Sequence, residues 1–241
     1  PSRLTALLSC VMEIQPYYQQ LSCLKRWQRQ IFFLYKLTMK RKCTRLVSSR
    51  VVLTSVRDAL LPDPALAEKV IGAQTLAQTP VFVAERLEVQ TADGARAPRF
   101  IARHHGGVGV VAVREGSVCL VRQYRCALGR VTLEIPAGGL EPGEEPHAAA
   151  ARELAEETGL VASDLRHLVR VYGSPGFTDE KTDVFLATGL AQGPACPDEG
   201  EFLRVAWLPA TDVVRAVLAG AIQDSKTVCG VLAARAAGVL E

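Results

Sequence analysis

From Pro80 onward the chain alternates apolar and polar residues in short runs broken by turn-forming residues. Such period-two patterning predicts half-buried strands, because successive side chains leave opposite faces of a strand. Residues 81–90 and 99–105 predict a first hairpin around Ala92-Asp93-Gly94, and Gly106-Gly107 then breaks the chain. Residues 108–114 and 117–124 predict a second hairpin around Glu115-Gly116. Residues 131–135 predict a short strand stopped by Pro136, which cannot donate to a ladder. Further strands are predicted over 165–172, 182–187 and 201–208. A helix is predicted over 146–158, closed by Gly159. Two more are predicted near the end: 211–219, capped by Thr211 and stopped by Gly220, and 224–237, opened by Asp224 and ended by Gly238. Ahead of the strands, Asp63 as cap and Pro64 at the first position predict a short helix reaching about Ile71. Strands mixed with a few helices give a layered α/β or α+β domain.

Composition sets the first fifty residues apart. They carry ten Lys/Arg against the single acid Glu13, whereas the remainder carries 18 basic and 24 acidic residues, so a basic arm precedes an acidic body. The arm lacks glycine and shows no periodicity that would pack a face, so residues 1–50 are expected to be an extension outside the functional domain. Met39 is the methionine shortly before the composition changes. Membrane contact by this basic arm is the alternative that its composition leaves open. No nucleic-acid partner is expected. The seven cysteines are scattered without a C-x-x-C pair, which argues against a disulfide framework or a zinc site and for free thiols in the cytoplasm. No apolar run approaches the roughly 18 residues that a membrane span needs.

The stretch from Gly138 to Leu160 carries the candidate chemistry. Glu153, Glu156 and Glu157 stand three and four apart, so their carboxylates share one helix face. At roughly 6 Å and an effective dielectric near 20, each pair of like charges repels by about 3 kcal/mol. A hard divalent cation such as Mg2+, Mn2+ or Ca2+ reverses that sign. A solvated acidic face, with Arg152 paired to Glu156, is the plain alternative. The preceding loop, Ile135-Pro136-Ala137-Gly138-Gly139, favours the first reading. Its glycines allow close backbone approach, and the following helix N-terminus presents N–H groups to anions. Carboxylates beside an anion-tolerant loop suit a cation bridging protein to substrate phosphates.

Gly138, Glu144, Arg152-Glu153-Leu154, Glu156-Glu157 and Gly159-Leu160 stand at spacings that resemble a complete Nudix box. The resemblance implies the Nudix fold, a mixed sheet sandwiched between helices, with a small N-terminal antiparallel β-subdomain. It implies hydrolysis of a nucleoside diphosphate derivative with Mg2+ or Mn2+. It makes Glu153 and Glu157 the main metal ligands, Glu156 a further ligand or activator of water, and the Ala137 carbonyl another ligand. Arg152 would orient the glutamates, and Glu144 would have a structural or metal-supporting role.

Features outside the box resemble the ADP-ribose pyrophosphatase branch: Val121-Arg122-Gln123-Tyr124-Arg125, Leu133-Glu134-Ile135-Pro136-Ala137-Gly138, Gly173-Ser174-Pro175-Gly176-Phe177-Thr178-Asp179-Glu180 and Asp224-Ser225-Lys226-Thr227. This implies ADP-ribose as substrate, with AMP and ribose 5-phosphate as products. It puts Arg125 on the phosphates, whose shape a guanidinium matches, and Gly139 and Ser174 among the substrate-binding residues. It also allows Arg99 to reach the substrate of a partner subunit. The general base is expected on the loop before a late strand, at Glu201 with Glu199 in reserve. His104 and His105 are adjacent on a strand and are expected to be structural. Another nucleoside diphosphate derivative, such as a nucleotide sugar or dinucleotide, and a non-catalytic ADP-ribose sensor are the rival readings. The expected organisation is a basic extension (1–50), a linker with the N-terminal β-subdomain (51–105) and the Nudix hydrolase domain (106–241), assembled as a homodimer.

Overall fold

The computed structural model describes residues 55–196 and 202–240. The expectations for residues 1–50 and for Glu199 and Glu201 therefore lie outside the described residues. The chain divides after Pro62, and the two parts are taken separately. Before the division lies a single helical turn, α1 (Val56–Ala59), whose cap Ser55 accepts a hydrogen bond from the Asp58 N–H.

After the division a small antiparallel sheet comes first, in the order β1 (Lys69–Gln78), β2 (Phe82–Gln90), β3 (Arg96–His104). β1 replaces the end of the helix expected to reach Ile71. Asp63 closes only a turn, its carboxylate accepting from Ala65 N–H and its carbonyl from Leu66 N–H. Lys69 onward pairs with β2, whose ladder groups would otherwise lie open. Register shifts at Val70/Gly72 and Thr75/Ala77 interrupt the alternation, and every β1 residue is exposed, so no two-sided pattern marks the strand.

The larger sheet contains β4 (Gly107–Arg114), β5 (Ser117–Arg125), β6 (Arg130–Glu134), β7 (Ala137–Gly139), β8 (Leu160–Tyr172), β9 (Lys181–Gln192) and β10 (Leu203–Pro209). Its main path is β10-β5-β4-β9-β8, with β6 on β5 and β7 on β4. β4 and β9 run parallel and the other pairs antiparallel, so the sheet is mixed. Alternation along the central strands sends side chains to two cores. Val111, Val118, Leu120, Val184 and Leu186 pack with α3 (Ala210–Leu218) and α4 (Ser225–Ala236). Val108, Val110, Ala112, Cys119, Phe185 and Ala187 pack with α2 (Pro146–Thr158). The result is the expected sheet between helical layers, beside a separate three-stranded sheet.

Helix ends follow local chemistry. Asp224 caps α4 by accepting from Thr227 N–H, as expected. Pro209, not Thr211, precedes α3, and the Ala210 N–H is satisfied by the Gly116 carbonyl. β8 starts at Leu160, five residues before the expected strand, because Gly159 ends α2 in the left-handed region and the chain turns at once into pairing with β9. Burial of Cys119 pushes its thiol up to about 12, so it is an inert core residue. Among the described residues no helix is long and apolar enough to cross a membrane.

Leu154 is fully buried between α2 and the sheet and stands next to the glutamates of the box. Leu154→Ala is expected to destabilise the fold by about 2–5 kcal/mol, read as a lowered urea midpoint with an unchanged m-value.

Candidate active site

α2 packs against β7. The face of α2 that buries Ala149, Ala150 and Leu154 continues into Glu157, which is only 4% exposed. A carboxylate so placed needs donors, and Glu157 Oε2 accepts from the Ala137 N–H at 3.0 Å. Glu153 comes still closer to the loop. A Cβ added to Gly138 would lie 2.1 Å from the Glu153 carboxylate, so any other residue there would push that carboxylate from its place against the loop. β4 holds this loop from below through the pairs Gly107–Gly139, Val108–Gly138 and Gly109–Ala137.

Arg152 ties the acidic face together. Its Nε and Nη2 donate to the two oxygens of Glu144 at 2.9 Å each. Its Nη1 donates to Glu153 at 2.8 Å and to Glu156 at 2.9 Å, and Nη2 also reaches the Gly139 carbonyl at 3.1 Å. The pairing with Glu156 expected of a surface helix is thus present, within a wider arrangement. Glu144 supports Arg152, and its own carboxylate is held below the usual range first by Arg152 and then by the Glu141 N–H. Arg152 is held above its ordinary value, first by Glu144.

One guanidinium faces three carboxylates here, and Glu157 adds a fourth beside them. Among the described residues no three His, Cys, Asp or Glu side chains converge as a ready-made metal cage. The donor set nevertheless suits a hard cation: oxygen donors, an excess of negative charge, and a loop cleared of side chain where Glu153 approaches.

Next to the loop lies a cleft of about 410 Å3, whose lining includes Ala137, Gly138, Gly139, Arg125, Lys226 and Glu180. A second cleft of about 740 Å3, between β6 and the start of α4, shares Arg125, Glu180 and Lys226 with it. Arg125 donates to both oxygens of Glu134, from Nε at 2.9 Å and Nη2 at 2.7 Å. Glu134 is 2% exposed. Burial pushes its carboxyl up, but Arg125, Lys226 and Thr132 outweigh burial and bring it down to about 2.

Of the expected residues, the structure brings Ala137, Gly138, Gly139, Glu144, Arg152, Glu153, Glu156, Glu157 and Arg125 to the box loop and its cleft. Arg99 lies on β3, bonded to Glu68, and does not line either cleft. Ser174 stands at the tip between β8 and β9, where its carbonyl accepts from Phe177 and Thr178 N–H groups. That loop is anchored on β3: Phe177 and Thr178 bond Ala102, and the Asp179 carboxylate accepts from the His104 N–H at 2.9 Å and pairs with Arg103 at 3.1 Å. The His104 ring accepts from the Gly106 N–H, which fits its expected structural role. Glu134 and Lys226 had no expected role. Alternation with Leu133 and Ile135 would put Glu134 on the solvent face of a half-buried strand, so no local signal marked it as buried.

Comparison with known proteins agrees with this geometry. The NUDIX domain family model matches residues 103–229, and the chain belongs to this family. It is 40% identical over 170 residues to the ADP-ribose pyrophosphatase of Mycobacterium tuberculosis, covering 69% of this chain and 82% of that protein. It is 39% identical over 166 residues to the ADP-ribose pyrophosphatase of Bacillus subtilis, covering 68% of this chain and 90% of that protein. In fold it is similar to the crystal structure of an ADP compounds hydrolase, with a TM-score of 0.64 and 22% identity over 71% of this chain and 94% of that one.

A carboxyl depressed on folding contributes stability that is complete above its unfolded value and disappears as pH falls through its folded value. For Glu134 that window runs from about pH 4.5 down to about 2. Glu134→Gln is expected to cost on the order of 3 kcal/mol at pH 7. The difference from the native chain should shrink steadily below pH 4.5 in urea unfolding measured across pH.

Proposed function

We propose that this chain hydrolyses the diphosphate of ADP-ribose to AMP and ribose 5-phosphate. The observation that carries the reading is the junction of the glutamate face of α2, the side-chain-free loop at Gly138 and the Arg125 cleft. The likeness to two ADP-ribose pyrophosphatases supports the choice of substrate within the family. Glu153, Glu157, Glu156 and the Ala137 carbonyl would hold Mg2+ or Mn2+, which when bound neutralises phosphate charge and activates water. Arg152 keeps Glu153 and Glu156 from turning away from each other. Arg125 offers its guanidinium to a phosphate while Glu134 fixes its plane. Gly139 lets the substrate approach the backbone, and Ser174 approaches from the β8–β9 loop. Glu201, or Glu199, takes the proton of the attacking water. Glu156 is the further ligand or the residue that activates this water. A cytoplasmic setting belongs to the same reading, in keeping with the free thiols of Cys126 and Cys196.

With Mg2+ present, AMP release from ADP-ribose is expected to exceed that from nucleotide sugars and dinucleotides. A chelator should abolish it, and Glu157→Gln should lower the rate by roughly two to three orders of magnitude. Equal rates across the panel would overturn the substrate assignment. A Glu157→Gln variant that kept full function would favour the sensor reading.

We also propose a homodimer formed through the small sheet. Val70, Ile71, Leu76 and Phe100 are exposed on that sheet, apolar surface that a second copy would cover. In a dimer Arg99 would reach the partner's substrate. Sedimentation equilibrium at micromolar concentration should give twice the monomer mass, and a monomer would count against the assembly.

A further inference from the structure

Lys226 takes no part in the box, yet it lines both clefts beside Arg125. It stands in the first turn of α4, and that turn is fixed from two directions. Asp224 accepts from the Thr227 N–H and hydroxyl, and the Thr227 oxygen accepts from the Ile135 N–H at 2.9 Å, two residues before the loop at Ala137. Thr227 is completely buried. From this base the Lys226 ammonium donates to Glu134 and, at 2.9 Å, to Asp224.

We propose that Lys226 is a second substrate-binding cation, which with Arg125 forms a two-pronged clamp on the diphosphate, and that Glu134 is the buried anion setting the distance between the prongs. The proposal rests on the reading of the cleft as a nucleoside diphosphate site. Donor counting supports it. A carboxylate has about four acceptor positions. Those of Glu134 are taken by Arg125 twice, by Thr132 and by Lys226, so Glu134 is saturated. An ammonium has about three donors, and Glu134 and Asp224 take two of those of Lys226. Arg125 has about five N–H groups and spends two on Glu134. Lys226 is not the sole counter-charge of either acid: Glu134 also has Arg125 on both oxygens, and Asp224 sits at a helix N-terminus, which favours an anion. Lys226 therefore brings a charge and a donor to the wall shared by the two clefts, where a phosphate can take them up.

The test uses the full chain with Lys226→Gln, which keeps a donor to Glu134 but loses the charge, and Lys226→Arg, which keeps the charge. Inorganic diphosphate binding is measured by calorimetry in chelator, so that cation binding at the box does not contribute. ADP-ribose hydrolysis is measured separately with Mg2+. Lys226→Gln should weaken diphosphate binding and raise KM by about 10- to 100-fold, the range for a lost charged hydrogen bond. Its kcat should change less than KM, and Lys226→Arg should recover most of the loss. A variant that melts at lower temperature but binds diphosphate as the native chain does would make Lys226 a counter-ion only, and overturn the clamp. A native chain that binds no diphosphate in chelator overturns it too. A native chain that binds diphosphate through Lys226 but hydrolyses no ADP-ribose would leave the clamp standing and remove the proposed activity.

Discussion

Everything near the box depends on one electrostatic constraint: several carboxylates are crowded on two turns of one helix. Unaided, Glu153, Glu156 and Glu157 would fray α2 or turn outward into water. Arg152 prevents this by binding Glu144, Glu153 and Glu156 at once. Glu144 belongs to the loop before the helix, so the same guanidinium also fixes where that loop lies. Leu154, between the glutamates, anchors the helix to the sheet. Packing and charge therefore act on adjacent residues of a single segment.

The phosphate side follows the same logic with the signs reversed. There a buried carboxylate, Glu134, organises cations. It lies three residues before Ala137 on the same stretch of chain, so the acidic and basic halves of the site share one short piece of backbone. α4 stabilises that piece from behind through Thr227 and Ile135. A disturbance at the start of α4 would be felt at the Ala137–Gly139 loop without any direct contact to it.

Much of this was legible in the residues because the relevant signals are local. Spacings of three and four put the glutamates on one face, and Gly159 marked the helix end. Glu115 and Gly116 both adopt positive φ, as a tight hairpin turn requires. What escaped was non-local. β1 has no buried side and owes its existence to pairing with β2. The helix expected from Pro64 carried a good start signal but lost to that pairing. Lys226 and Glu134 are 92 positions apart, and nothing in either neighbourhood announces the other. Arg152 was expected to orient the glutamates, but its reach to Glu144 depends on how the loop folds back, which no spacing shows.

The junction between the small sheet and the β8–β9 loop is written mostly in main chain. Ala102 gives and receives hydrogen bonds through its N–H and carbonyl, and His104 contributes its N–H. Backbone groups are the same for nearly every residue type. Side chains along β3 can therefore drift among descendants while the loop bearing Ser174 and Glu180 keeps its place. Related chains could diverge in this hairpin until no likeness is readable there, and still inherit the same wall of the cleft.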